Sequence, residues 1–271
     1  MFPAIPMSNP PVHKARKRFG QNFLQDQGII RHIIASIKPQ PQQGLVEIGP
    51  GLGAITEHLL AAAGALDVVE LDRDLIPHLR IQFATYGNNL RIHEADALKF
   101  DFSQLSSETD GLRIVGNLPY NISTPLIFHL LDYAPLIADM HFMLQKEVVL
   151  RLAAQAGENN YGRLSIMAQY FCQVENLFAV PPEAFDPRPK VESAIVRMMP
   201  YNQLPHPADN FKHFAQLVKT AFSQRRKTLH NNLKGIMDTS QLASIDIDTS
   251  LRPERLTVAD YVKISNYHQD S

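Results

Sequence analysis

The tetrapeptide Asn117-Leu118-Pro119-Tyr120 places a side-chain amide oxygen, a backbone carbonyl and an aromatic ring within four residues. Two neighbouring acceptors can hold the two N–H groups of an exocyclic amine, while a ring stacks on the base that carries it. The N6 amine of adenine is a poor nucleophile because its lone pair is delocalised into the ring. Gripping both N–H groups localises that pair and aims it at an electrophile, which is work of positioning and electrostatics rather than of proton abstraction. Pro119 biases Leu118 towards an extended backbone and so fixes where its carbonyl points. Alone, the same residues also make a turn in which Asn117 caps and Pro119 stops a strand. Directly after the fourth strand of a nucleotide-binding sheet, the functional reading is preferred.

A second constellation lies upstream. Glu47-Ile48-Gly49-Pro50-Gly51-Leu52-Gly53 follows a short apolar run and opens a helix. Glycines there permit a tight turn and let backbone amides approach a ligand at the positive end of a helix. Glu70 closes the next apolar run, where an acid can accept hydrogen bonds from ribose hydroxyls. Gly49, Gly51 and Ala54 also satisfy the dinucleotide fingerprint, so a nicotinamide enzyme is a rival at this point. Asp96, in Glu94-Ala95-Asp96-Ala97-Leu98, adds a carboxylate at the end of a third run. It could accept from an adenine amino group, and it serves equally well as a helix cap or turn acid. An acid for the ribose and another for the adenine, with a proline in the glycine turn, favour S-adenosylmethionine over a dinucleotide.

These residues need a frame that brings strand ends together. Ile29, Ile30, Ile33, Ile34 and Ile37 predict an amphipathic helix ending near Pro39. Strands are then expected over 45–48, 66–71, 90–93, 112–116 and 140–144, alternating with helices over 54–63, 73–84, 124–132 and 146–155. That alternation predicts an α/β fold with a mostly parallel sheet covered on both faces, which binds ligands outside the carboxyl ends of its strands. Two more strands are expected over 174–180 and 193–199. A proline-rich stretch then leads to helices over 211–222, 225–233 and 258–267, with a domain boundary near residue 201.

Composition narrows the class. The chain has 271 residues, a net charge of −1 and one cysteine, Cys172, which reads as a small buried hydrophobe. One cysteine excludes an internal disulfide, and the 11 histidines are scattered without metal-ligand spacing, so no metal is expected. No stretch is apolar for long enough to span a bilayer, and the amino terminus lacks the order of a signal peptide, so a cytoplasmic protein is expected. Charge is unevenly placed. Lys14, Arg16, Lys17 and Arg18 form an acid-free arm, and Lys219, Arg225, Arg226, Lys227 and Lys234 form a second acid-free segment. Such clusters are either solvated faces or phosphate-tracking surfaces.

Across nearly its whole length the chain resembles the ribosomal RNA adenine N6-dimethyltransferases, and most closely their bacterial small-subunit branch. The resemblance is carried by Arg18-Phe19-Gly20-Gln21-Asn22-Phe23-Leu24, residues 116–123, and His141-Phe142-Met143-Leu144-Gln145-Lys146-Glu147. It continues through Tyr161-Gly162-Arg163-Leu164-Ser165, Phe185-Asp186-Pro187-Arg188-Pro189-Lys190-Val191-Glu192-Ser193 and Phe222-Ser223-Gln224-Arg225-Arg226-Lys227-Thr228.

It implies a Rossmann-like class I S-adenosylmethionine-dependent methyltransferase sheet (21–200) after a basic arm (1–20), with a small all-α RNA-binding domain (201–271). By the same resemblance, Asn22 and Leu24 border the methionine end of the donor and Gly49 lies against it, in the loop that Gly51 shares. Glu70 holds the ribose, Asp96 the adenine, and Asn117 serves both donor and target amine. Catalysis falls to residues 117–120, with Phe185 closing over the base opposite Tyr120; residue patterning alone would make Phe185 a core residue. The implied target is two adjacent adenosines in the hairpin loop near the 3′ end of small-subunit ribosomal RNA, on an immature subunit. Each receives two methyl groups, S-adenosylhomocysteine is released, and the enzyme is expected to act as a monomer with RNA contacts from the two basic clusters. A large-subunit dimethyltransferase, a DNA adenine methyltransferase and a non-catalytic assembly factor are the rivals. The small-domain match argues against the first, the few residues after 200 against the second, and the intact 117–120 segment with Glu70 against the third.

Overall fold

A strand buried on both faces can join a parallel neighbour only through a crossover, so strands and helices alternate along this chain. The computed structural model describes residues 22–105, 111–224 and 226–269. It begins with β1 (Phe23–Leu24), α1 (Gln27–Ile37), β2 (Gly44–Ile48), α2 (Thr56–Ala63), β3 (Leu66–Glu70), α3 (Leu75–Gln82) and β4 (Leu90–Glu94). Next come β5 (Leu112–Asn117), α4 (Ser123–Leu131), β6 (Ile137–Gln145), α5 (Lys146–Ala153), α6 (Arg163–Phe171) and β7 (Cys172–Val180). After β8 (Phe185–Asp186) and β9 (Ser193–Pro200), the chain ends in α7 (Phe211–Ala221), α8 (Leu229–Leu233), α9 (Thr239–Ser244) and α10 (Val258–Gln269). None of the described helices is long and apolar enough to cross a membrane.

Seven strands form one sheet in the order β4-β3-β2-β5-β6-β9-β7. The first five are parallel, and β9 and β7 join antiparallel. From β2 the chain works outward to β4, then returns to β5 on the other side of β2. The crevice for a ligand therefore opens between the carboxyl ends of β2 and β5. Gly49 and Asn117 sit there, one just after β2 and the other at the end of β5. A separate two-stranded ribbon pairs β1 with β8, setting Leu24 opposite Phe185 and Phe23 opposite Asp186.

Alternating side chains divide the sheet's two faces. Val46, Ile114 and Phe142 pack with Leu126, Ile127 and Leu130 of α4 on one side. Leu45, Val68, Val115 and Met143 pack with Ile30, Ile33 and Ile37 of α1 on the other. Helix α1 starts where the Asp26 carboxylate accepts the N–H groups of Gly28 and Ile29 at 2.7 and 2.9 Å. A third cluster joins Ile166, Met167 and Tyr170 of α6 to Phe214, Leu217 and Val218 of α7 and Tyr261 and Ile264 of α10.

Sequence periodicity missed α6 for a physical reason. Leu164 and Ala168 face the sheet core while Ile166, Met167 and Tyr170 face the carboxyl-terminal helices. A helix apolar all round carries no 3.6-residue signature. The helix expected over 225–233 also differs, because Thr228 is extended (φ −67°, ψ 161°) and the helix starts only at Leu229. Asn232 holds the preceding turn by donating its side-chain amide to the Gln224 carbonyl at 3.2 Å. Cys172 is buried, and burial pushes its thiol up to about 12, which suits a packing residue rather than a nucleophile.

Candidate active site

The loop leaving β2 is shaped by backbone that side chains rarely tolerate. Gly49 and Gly51 have φ of +65° and +59°. A Cβ on Gly51 would also lie 3.2 Å from the Phe23 ring, so the ribbon of β1 and β8 roofs this loop closely. Gly116 is required for a different reason: a Cβ there would stand 2.6 Å from the Ile48 carbonyl oxygen of the adjacent strand. The close approach of β2 and β5 at their carboxyl ends depends on that missing side chain.

Two acids are buried beneath the loop. Glu70, 7% exposed at the end of β3, accepts the Asp72 N–H at 2.7 Å. Burial raises its carboxyl above the usual range despite that bond and those from the Gly51 and Leu71 backbone. Glu47, 1% exposed, accepts the Thr56 hydroxyl at 2.6 Å. Burial pushes its carboxyl up to about 8; the Thr56 bond opposes this and the repulsion of Glu70 adds to it. Asp96 accepts the Leu98 N–H at 3.0 Å, so it is a turn acid and also part of the cavity wall.

One cavity of about 380 Å³ joins these groups to the 117–120 segment. Its walls include all the expected donor-binding residues, namely Asn22, Leu24, Gly49, Gly51, Glu70, Asp96 and Asn117, followed by Leu118, Pro119 and Tyr120. No lysine or arginine lines it among the described residues, which suits a ligand without a pyrophosphate. Carboxyl groups that resist ionisation here would be satisfied by a cationic ligand. Leu71 and Leu98, which the sequence does not mark as site residues, line the same cavity as Glu70 and Asp96 and add apolar surface to it. Their only sequence signal is nearness to an acid at or just past a strand end: Leu71 directly follows Glu70, and Leu98 lies two residues after Asp96.

The 117–120 segment has the hydrogen bonding that an amine grip needs. Asn117 donates its side-chain amide to the Asn22 carbonyl at 3.1 Å, which turns its remaining oxygen into the available acceptor. Leu118 donates its N–H to the Met143 carbonyl at 3.1 Å, and its own carbonyl receives no donor from the described residues. The next two carbonyls are occupied, Pro119 by the Ile122 N–H and Tyr120 by the Ser123 hydroxyl. The Tyr120 ring is fixed at its far end by a 2.7 Å hydrogen bond between its hydroxyl and Ser193. Burial raises that phenol further above its ordinary value.

Phe185 is not brought to this wall. It is 4% exposed and packed with Leu24 and Ile195 under the β1–β8 ribbon, where residue patterning alone would place it. Closing over a base opposite Tyr120 would require the ring to leave that packing. Arg226 and Lys227 are exposed on the turn before α8, outside the cavity and without an ion pair among the described residues. Lys14, Arg16, Lys17, Arg18 and Arg225 lie outside the described residues. No group of three or more histidine, cysteine, aspartate or glutamate residues able to hold a metal occurs among the described residues.

Comparison with known proteins gives a consistent set of relatives. The family described as "Ribosomal RNA adenine dimethylase" matches residues 12–270. The "Ribosomal RNA small subunit methyltransferase A" of Saccharophagus degradans is 64% identical over 254 residues, covering 94% of each chain. Among solved structures, a dimethyladenosine transferase from Plasmodium falciparum superposes with a TM-score of 0.78 at 30% identity, covering 89% of this chain and 95% of that one. The 23S rRNA methyltransferase ErmE superposes with a TM-score of 0.72 at 22% identity over 92% of this chain and 100% of its own, a likeness of fold.

Proposed function

This chain belongs to the ribosomal RNA adenine dimethylase family, and we propose that it dimethylates N6 of two adjacent adenosines in the 3′-terminal hairpin loop of small-subunit ribosomal RNA. The observation that carries this reading is the placement of two open acceptors, the Asn117 side-chain oxygen and the Leu118 carbonyl, on the wall shared with Glu70 and Asp96. Bound S-adenosylmethionine would supply an electrophilic methyl group on a sulfonium. In our reading Glu70 accepts the ribose hydroxyls, Asp96 the adenine amino group, and Leu71 and Leu98 sandwich the ring. Asn22, Leu24, Gly49 and Gly51 surround the methionine end. Asn117 and Leu118 grip the target amine, and Tyr120, held by Ser193, sets the plane of its base. The proton on N6 becomes strongly acidic once a methyl group is attached, so none of these residues needs to act as a poised base.

We further propose that residues 201–271 and the amino-terminal arm hold the RNA of an immature small subunit, and that the enzyme works as a cytoplasmic monomer without a metal. In vitro, labelled S-adenosylmethionine with undermethylated small subunits should yield N6,N6-dimethyladenosine at two adjacent positions of 16S ribosomal RNA. Label appearing only in large-subunit RNA would move the assignment to that substrate. Tight binding without label would favour a non-catalytic assembly role.

A further inference from the structure

The loop between β8 and β9, residues 187–192, is unusually well placed for a segment that the proposed chemistry does not use. At one end it continues β8, part of the roof over the glycine loop. At the other it runs into Ser193, whose hydroxyl holds Tyr120 at 2.7 Å. It therefore leads directly into the residue that holds Tyr120, on the cavity wall. Pro187 and Pro189 restrict its backbone. Glu192 ties it to α5 twice, accepting the Lys146 N–H at 2.9 Å and the Lys146 ammonium at 2.8 Å.

Two side chains on this anchored loop have no evident structural purpose. Val191 is 44% exposed, one of few large apolar residues that face water. Lys190 is exposed and has no ion pair among the described residues, whereas Arg188 lies 3.7 Å from Glu183 and Lys146 pairs with Glu192. A base brought to Tyr120 must leave its stack, which strips its neighbour of apolar contact and displays the adjoining phosphate. Exposed aliphatic side chains fill such gaps in other nucleic-acid complexes, and a lysine can neutralise one phosphate.

We propose that residues 187–192 form a substrate rim, with Val191 packing against the nucleotide that flanks the extruded adenosine and Lys190 holding the adjoining phosphate. The inference rests on the reading of the cavity as an RNA adenosine site. It adds a recognition element outside both the amine grip and the basic clusters.

The full-length chain and its Val191→Ser, Val191→Ile and Lys190→Ala variants test it, with donor affinity and thermal melting measured on each. Val191→Ser should lower kcat/KM for undermethylated small subunits roughly tenfold, the loss expected for one valine-sized apolar contact. Val191→Ile should keep it within about twofold, since the contact survives. Lys190→Ala should flatten the dependence of log affinity on log salt by about 0.7 to 0.9, the share of one phosphate. Unchanged kcat/KM in Val191→Ser together with an unchanged salt slope in Lys190→Ala overturns the rim. So does an equal loss in the serine and isoleucine variants, or a matching loss of donor affinity. If the unaltered protein transfers no methyl group, the function reading fails on its own. The rim is then judged by subunit binding alone, where the same variants should weaken retention on filters and equal retention overturns it.

Discussion

Glu47→Gln tests the electrostatics of the cavity floor through folding stability. Burial pushes the Glu47 carboxyl up to about 8 from an ordinary value of 4.5. Between those two values the unfolded chain has released this proton and the folded chain still holds it. Stability must therefore fall as pH rises through that window, and the loss is complete once the folded carboxyl ionises. With 1.36 kcal/mol per unit, the penalty is about 1 kcal/mol at pH 5, about 3 at pH 7 and about 5 above pH 8. Glutamine keeps the acceptor for Thr56 and has no proton to lose. Denaturant unfolding of both proteins at several values between pH 5 and pH 9 gives the difference directly. The wild type should lose on the order of 4 kcal/mol relative to the variant across that range, whatever constant offset the substitution introduces. Parallel curves would refute the argument, because they would mean that Glu47 ionises alike in both states. A bound sulfonium and ammonium should draw the proton off Glu47, so donor binding at pH 7 should release protons in the wild type and fewer in the variant. Calorimetry in buffers of different ionisation enthalpy reads that difference.

Asn117→Ala removes one acceptor and the bond to Asn22, and should lower methyl transfer by about a hundredfold or more while subunit binding persists; near-normal turnover would sink the grip. Arg226→Ala with Lys227→Ala should weaken subunit binding and reduce its salt slope by roughly 1.5, and an unchanged slope would remove that turn from the RNA surface. Gly116→Ala should destabilise the fold by roughly 1–3 kcal/mol in denaturant unfolding, because the new Cβ meets the Ile48 carbonyl. Wild-type stability there would mean that the β2–β5 junction relaxes freely.

What was legible in the sequence followed from local rules. Glu70, Asp96 and Asn117 each end or follow a short apolar run, so a parallel sheet alone brings them to one edge. Residues whose role depends on distant partners were harder to read. The β1–β8 ribbon joins Leu24 to Phe185 across most of the sheet domain, and two-residue strands carry no period. Helix α6 is buried on opposite sides by two different cores, which erased its amphipathic pattern. Leu71 and Leu98 are ordinary leucines until the strand ends that precede them are seen to meet. Resemblance alone gives Phe185 a clamp role, and its buried packing is where residue patterning places it.

The tether between Tyr120 and Ser193 has a consequence for how such a reaction ends. A ring fixed at both ends offers the same stacking surface to adenine, to its monomethyl form and to its dimethyl form. The acceptors beside it do not treat the three alike. Adenine brings two N–H donors to Asn117 and Leu118, the monomethyl base brings one, and the finished base brings none. Each acceptor left without a donor away from water costs on the order of 1–3 kcal/mol. On the proposed chemistry, the pair counts methyl groups by the donors it loses, and the enzyme's hold on the base is weakest when the count is complete.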